Sequence, residues 1–146
     1  MRTQARHAMV ALLAIAAGSA LAAQPEPTPA HAATCVAALK TRAEPLAQRV
    51  RGGDAVAKAQ LLPIVTSSFA FIGSVYKQGV RNAEADELLR QAEKAQAQMP
   101  PADLARTQDA CHAEGQQLLA QANVFEREFV TRAAKRRVER LQPTTG

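Results

Sequence analysis

Tryptophan is absent from this 146-residue chain, tyrosine occurs once and phenylalanine four times, so aromatics make up only 3% of it. The core must then come from Leu, Val, Ile and Ala, side chains that suit close-packed helices better than a sheet, which favours β-branched and aromatic residues. No stretch alternates apolar and polar residues long enough to mark a strand. Cysteine occurs only at Cys35 and Cys111. There is no Cys-x-x-Cys, which removes the dithiol redox motif, and Cys111-His112 lacks the upstream cysteine that covalent haem attachment needs. A Gly-rich phosphate loop is missing, and so is a Ser/His/Asp or Cys/His set with a third member. Histidine is scarce: beyond residue 22 only His31 and His112 remain. Asp109 and His112 on one helical turn are too few ligands for zinc. Glu84, Asp86 and Glu87 fall where a first helical turn is expected, and carboxylates there complement the helix dipole. Neither an enzyme activity nor a cofactor nor a metal is expected.

What is present begins with an export signal: Arg2 and Arg6, an apolar run from Met9 to Ala17, and Ala20-Leu21-Ala22 as a cleavage site. The apolar run from Ala8 to Ala23 is shorter than the ~20 residues a spanning helix needs, and no second spanning segment is expected. The chain therefore reads as residues 1–22 signal peptide, 23–32 tether rich in Pro25, Pro27 and Pro29, 33–141 helical domain, and 142–146 disordered tail. The destination is periplasmic or secreted, an oxidising setting in which Cys35 and Cys111 have one possible pairing.

Four helices are expected, in an all-α up-down bundle with a long last helix. The first spans Ala33 to Arg51, with Cys35, Leu39, Leu46 and Val50 on one face, a kink or split at Pro45, and a stop at Gly52-Gly53. Asp54 caps the second, Ala55 to about Gln78, with Leu62, Val65, Phe69, Ile72 and Tyr76 on one stripe and Ile64, Phe71 and Val75 on another. Pro63 should bend it, and Gly79-Val80 reads as its C-terminal cap. Asn82 caps the third, Ala83 to Met99, with Ala85, Leu88, Leu89, Ala92 and Ala95 inward. Pro100-Pro101 opens the fourth, which runs to Leu141.

Counting ~1.5 Å of rise per residue along this path puts Cys35 and Cys111 at depths that agree to about one helical turn. A disulfide there would join helices one and four and close a loop worth on the order of 4 kcal/mol in the chain-entropy model. By the same count the other helices reach no further than about Leu118, and roughly 35 Å of helix four remains. That remainder carries Leu118, Leu119, Ala122, Phe125, Phe129, Val130, Ala133, Val138 and Leu141, an apolar stripe that needs cover: from helix four bending back near Gly115, from helix one and the tether shifting over it, or from another molecule.

Phe69-x2-Ile72-Gly73-x2-Tyr76, followed by Ala85, Leu89 and Ala92, resembles one tetratricopeptide repeat over residues 66–99, although Pro100 comes later than the family's proline. Gly73 and Ala85 would allow two helices to approach closely. The resemblance implies protein binding and no chemistry.

The formal charge is +5, from 18 basic and 13 acidic residues. The excess is concentrated in Arg127, Arg132, Lys135, Arg136, Arg137 and Arg140. A solvated helix end favoured by the dipole, an anionic membrane surface and a protein partner all fit this patch. Nucleic acid is disfavoured, because no stacking aromatics are interleaved with the arginines and export removes most such targets. The leading expectation is a non-enzymatic exported protein that binds a partner, or forms a homo-oligomer, through the far half of helix four. The alternative is a peripheral membrane binder using the same half.

Overall fold

The computed structural model describes residues 25–143. The expected signal peptide and residues 23, 24 and 144–146 lie outside that range. Five helices and no strand occur among the described residues: α1 Pro29–Arg51, α2 Ala55–Lys77, α3 Asn82–Gln96, α4 Pro101–Gln121 and α5 Val124–Glu139. The all-α expectation holds. The four-helix count does not, because the long last helix is two.

The break has a local cause. Asn123 is an N-cap: its side chain accepts from the Glu126 amide at 3.0 Å, and the Glu126 carboxylate accepts from the Asn123 amide at 3.2 Å. This reciprocal capping box starts a new helix. Arg127 reaches back across the break and donates to the carbonyls of Ala120 and Ala122, which the end of α4 leaves without intrahelical partners. The chain does turn back, one of the options the length count left open, but at Ala122-Asn123 and not at Gly115.

Other boundaries follow the same logic. Asp54 caps α2 by accepting from the Ala57 amide at 2.9 Å. Gly79 ends α2 at φ +93°, with Gly79 N–H bonded to Tyr76 O and Val80 N–H to Val75 O, and Val80 is buried as the hydrophobic closure. Pro45 and Pro63 lie within continuous helices. Helix α1 begins at Pro29, earlier than Ala33, because Thr28 caps it by accepting from the His31 amide. Residues 29–32 are thus helix and not tether, and Pro27 is buried, with its carbonyl accepting from Gln78 Nε2 at 3.0 Å. Helix α3 starts at Asn82 itself, with no side-chain cap.

Helix α4 is antiparallel to α1, shown by the sequence Arg42–Asp109 (2.7 Å), Cys35–Cys111 and His31–Glu114 (2.8 Å). The Cys35–Cys111 disulfide is formed, with Cα atoms 5.1 Å apart. Helix α3 leans on α1, with Lys40 paired to Glu93 and Gln96 Nε2 donating to Thr34 O. Helix α5 returns along α2, from Lys77–Glu126 to Lys58–Gln142. Cys35, Leu39, Ile64, Phe71 and Cys111 form one core cluster, and Val50, Ala57, Leu61 and Val138 a second.

By length and composition α2 could cross a membrane, contrary to the expectation that no second segment could. Here α1, α4 and α5 pack against it as a core helix. Its expected large-residue stripe is not its best-covered face, since Ile72 and Tyr76 are exposed. Thr66, Ser67, Ala70 and Ser74 are buried in its place. A Cβ on Gly115 would stand 2.6 Å from Ser67 Cβ and 2.9 Å from Ser67 Cα, so α4 approaches α2 at a distance only glycine permits. Gly73 faces Val130 of α5, at 3.9 Å from its hypothetical Cβ, and not α3. On α3, Ala92 and Gln96 are buried, Leu88 and Leu89 half-buried, and Ala85 and Ala95 exposed.

Two outcomes follow for stability. Gly115→Val should cost about 1–3 kcal/mol through overpacking, measured by denaturant unfolding of the oxidised protein. Thiol titration of the denatured, unreduced protein should find no free thiol, and reduction should cost on the order of 4 kcal/mol.

Candidate functional site

Helix α5 buries Val130, Ala134 and Val138, spaced by four residues, against α2. Two residues of the expected free stripe, Val130 and Val138, are therefore core, and Leu141 packs on the second cluster. The inward alanine is Ala134, and Ala133 is only half-buried. The stripe fails as a single surface because the break at Ala122-Asn123 resets the helical phase.

What stays outside is specific. Phe125 is 87% exposed and Phe129 69% exposed. At 3.6 residues per turn, Phe125, Phe129, Arg132, Arg136 and Arg140 occupy a strip about 80° wide on the side of α5 away from α2. Beside this ridge lies a groove of about 670 Å³, lined by Ala70, Gly73 and Tyr76 of α2, Leu118, Leu119 and Ala122 at the end of α4, and Phe125, Phe129 and Val130 of α5. Tyr76 is 60% exposed, and the Arg81 guanidinium lies 4.3 Å from its ring centre. Lys77 and Glu126, paired at 3.0 Å, also line the groove. Lys77 and the Asn123 amide hold the Glu126 carboxyl below its ordinary pKa.

The expected basic patch divides in the same way. Arg127 caps α4, Arg132 pairs with Glu128 at 2.7 Å, and Lys135 lies 4.0 Å from Glu139. Among the described residues no carboxylate is within ion-pair distance of Arg136, Arg137 or Arg140. Arg137 lines a cleft shared with Ala47 and Leu61, which leaves Arg136 and Arg140 further along the same face of α5 as the phenylalanines.

Two polar constellations were not anticipated. Ser67 Oγ lies 3.0 Å from His112 Nδ1, a nucleophile-and-base spacing. Yet Ser67 is 0% exposed, its hydroxyl bonds to Pro63 O at 3.0 Å, and Gln116 Nε2 donates to it at 2.8 Å. Asp109, the natural third member, is engaged by Arg42. A serine without solvent access meets no substrate, so this node fastens α2 to α4. The second constellation is at the disulfide, where His31 Nε2 lies 2.8 Å from Glu114 Oε2 and 3.8 Å from Cys35 Sγ. Assigning His31 to a tether hid it, although His31 is four residues before Cys35 and Glu114 three after Cys111, both same-face helical spacings.

Burial pushes the His112 pKa down, the Arg42 charge on α1 adds to this, and Asp109 partly opposes it. The unfolded chain therefore binds a proton at higher pH than the folded one does. His112 contributes full stability above about pH 6.5, and that contribution is lost as pH falls from there through the lower folded value. Urea unfolding between pH 7 and pH 5 should show this loss, and His112→Gln should remove part of the slope.

No family model, curated protein or solved structure matches this chain, so the functional reading rests on the residues themselves.

Proposed function

We propose that this is an exported, non-enzymatic protein that acts by binding a protein surface through the α4–α5 corner, and that the surface it fits is a second copy of the same chain. The observation that carries this is the coexistence, in one patch, of projecting Phe125 and Phe129 rings and an apolar groove beside them. A two-fold interface brings the same patch of both copies together, so a ridge next to a groove is self-complementary. Covered aromatics at the centre of a contact are the usual source of its energy. Export is supported by the N-terminal residue pattern and by the Cys35–Cys111 disulfide, which belongs in an oxidising compartment.

A second reading, a peripheral binder of anionic membrane, is favoured by one observation. Phe125 and Phe129 share their strip of α5 with Arg132, Arg136 and Arg140, the pattern of an interfacial helix.

Solution mass by light scattering, on the chain lacking residues 1–22, tests the first reading. A dimer is expected, and Phe125→Ser with Phe129→Ser should return it to monomer with unchanged helicity, since both rings are exposed. A wild-type monomer up to high micromolar concentration would end the self-association reading. Salt-sensitive co-sedimentation of that monomer with anionic but not neutral vesicles would establish the second.

A further inference from the structure

We propose that the α1–α4 seam holds a redox-gated site for a zinc-class divalent cation, formed by His31, Cys35, Cys111 and Glu114 when the disulfide is open. His31 and Cys35 are four residues apart on α1, and Cys111 and Glu114 three apart on α4, so each helix presents two ligands on one face. Antiparallel packing sets the two faces against each other, the arrangement by which helical bundles build metal sites from side chains on facing helices. Three of the four donor atoms already cluster: His31 Nε2 is 2.8 Å from Glu114 Oε2 and 3.8 Å from Cys35 Sγ, and these three atoms lie within 4.8 Å of one another. Cys111 is joined to the third through the disulfide.

The donor set is chemically selective. Two thiolates, one imidazole nitrogen and one carboxylate oxygen complete a closed tetrahedral shell of the kind zinc takes, and thiolates exclude harder cations such as magnesium and calcium. Both cysteines are buried, at 0% and 2% exposure, which keeps the sulfur side dry. The His31 and Glu114 side chains are 49% and 29% exposed, which supplies the entry path. The edge-on contact of the His31 ring with buried Phe71 limits the ring's orientation. An exposed His–Glu pair contributes little stability by itself. Its placement against the only two cysteines is what the metal reading explains.

The gate is the sulfur–sulfur bond. An external dithiol transfers two electrons and two protons to the Cys35–Cys111 disulfide, becomes a disulfide itself, and leaves two thiols. The cation then displaces both thiol protons to solvent. His31 coordinates as neutral imidazole, and His31 and Glu114 exchange their mutual hydrogen bond for bonds to the ion. With the disulfide closed only His31 and Glu114 remain, too few for a zinc site. The seam thus has two alternative closures, one covalent and one metallic.

Cobalt(II) tests this as a spectroscopic stand-in for zinc, on the folded chain lacking residues 1–22, reduced and then freed of reductant without air. The reduced protein should bind one equivalent, with thiolate charge-transfer absorption and intense tetrahedral ligand-field bands that zinc abolishes. The oxidised protein should show neither. His31→Ala and Glu114→Gln should each weaken binding by the reduced protein about tenfold or more, judged against the 10–100-fold losses that follow removal of outer-shell partners alone. Absence of the charge-transfer band, equal binding by the oxidised protein, or undiminished affinity in both variants overturns the proposal. Circular dichroism guards against loss of fold: if reduction lowers helicity, cobalt or zinc must restore it, and failure to restore it counts against the site.

Discussion

The contact between Gly115 and Ser67 brings two helix backbones closer than any residue with a Cβ at position 115 would allow. That approach sets where α4 runs, and much else follows. It places His112 and Gln116 within hydrogen-bonding reach of the Ser67 hydroxyl, so a buried polar group is satisfied across the interface and its register is fixed. It carries Cys111 to the level of Cys35 and the end of α4 to the flank of α2. From there the chain can turn at Asn123 and lay Val130, Ala134 and Val138 along α2. A wider α2–α4 separation would lose the polar node and move α5 off its support.

How much of this was legible depends on the kind of signal. Local chemistry could be read directly: the Asp54 cap, the Gly79-Val80 closure and the Pro101 start all rely on residues within one turn of each other. The disulfide was legible because the export pattern leaves two cysteines with one possible pairing, and a count of helix lengths put them at similar heights. The break at Ala122-Asn123 was masked. Leu118, Ala122, Phe125 and Phe129 continue a helical period across it, while the competing signal, Asn123 with Glu126 three residues later, is a short motif. The packing face of α2 was missed for a different reason. Periodicity arguments weight large apolar residues, and here Ser67, Ala70, Gly73 and Ser74 do the close packing, because small residues are what let backbones approach. His31 was lost to the near-alternating prolines that read as a tether, although Pro29 at a first helical position is itself a start signal.

The candidate surface was half legible. The far end of the chain was identified as the place where basic charge and unclaimed apolar residues coincide, and Phe125 and Phe129 do project there. Resetting the helical phase at Asn123 converts part of that stripe into core and rotates two phenylalanines outward, onto the arginine side. A sequence read as one continuous helix cannot separate those two sets.

The energetics of that corner bear on the proposed dimer. Fully burying two phenylalanine side chains is worth about 1.5–3 kcal/mol each. Association of two proteins loses an estimated 4–15 kcal/mol or more in translational and rotational freedom, so two rings alone do not hold a dimer together. In the proposed dimer the groove would supply further area, since Leu118, Leu119, Ala122 and Gly73 line it next to the ridge. A bilayer would draw on other terms, about 1 kcal/mol for each arginine near an anionic surface plus the inserted rings. A bilayer is broad and fluid, and it meets a convex ridge well. It has no rigid knob to fill a concavity of this size. The ridge alone suits either occupant; the ridge and groove together suit a protein.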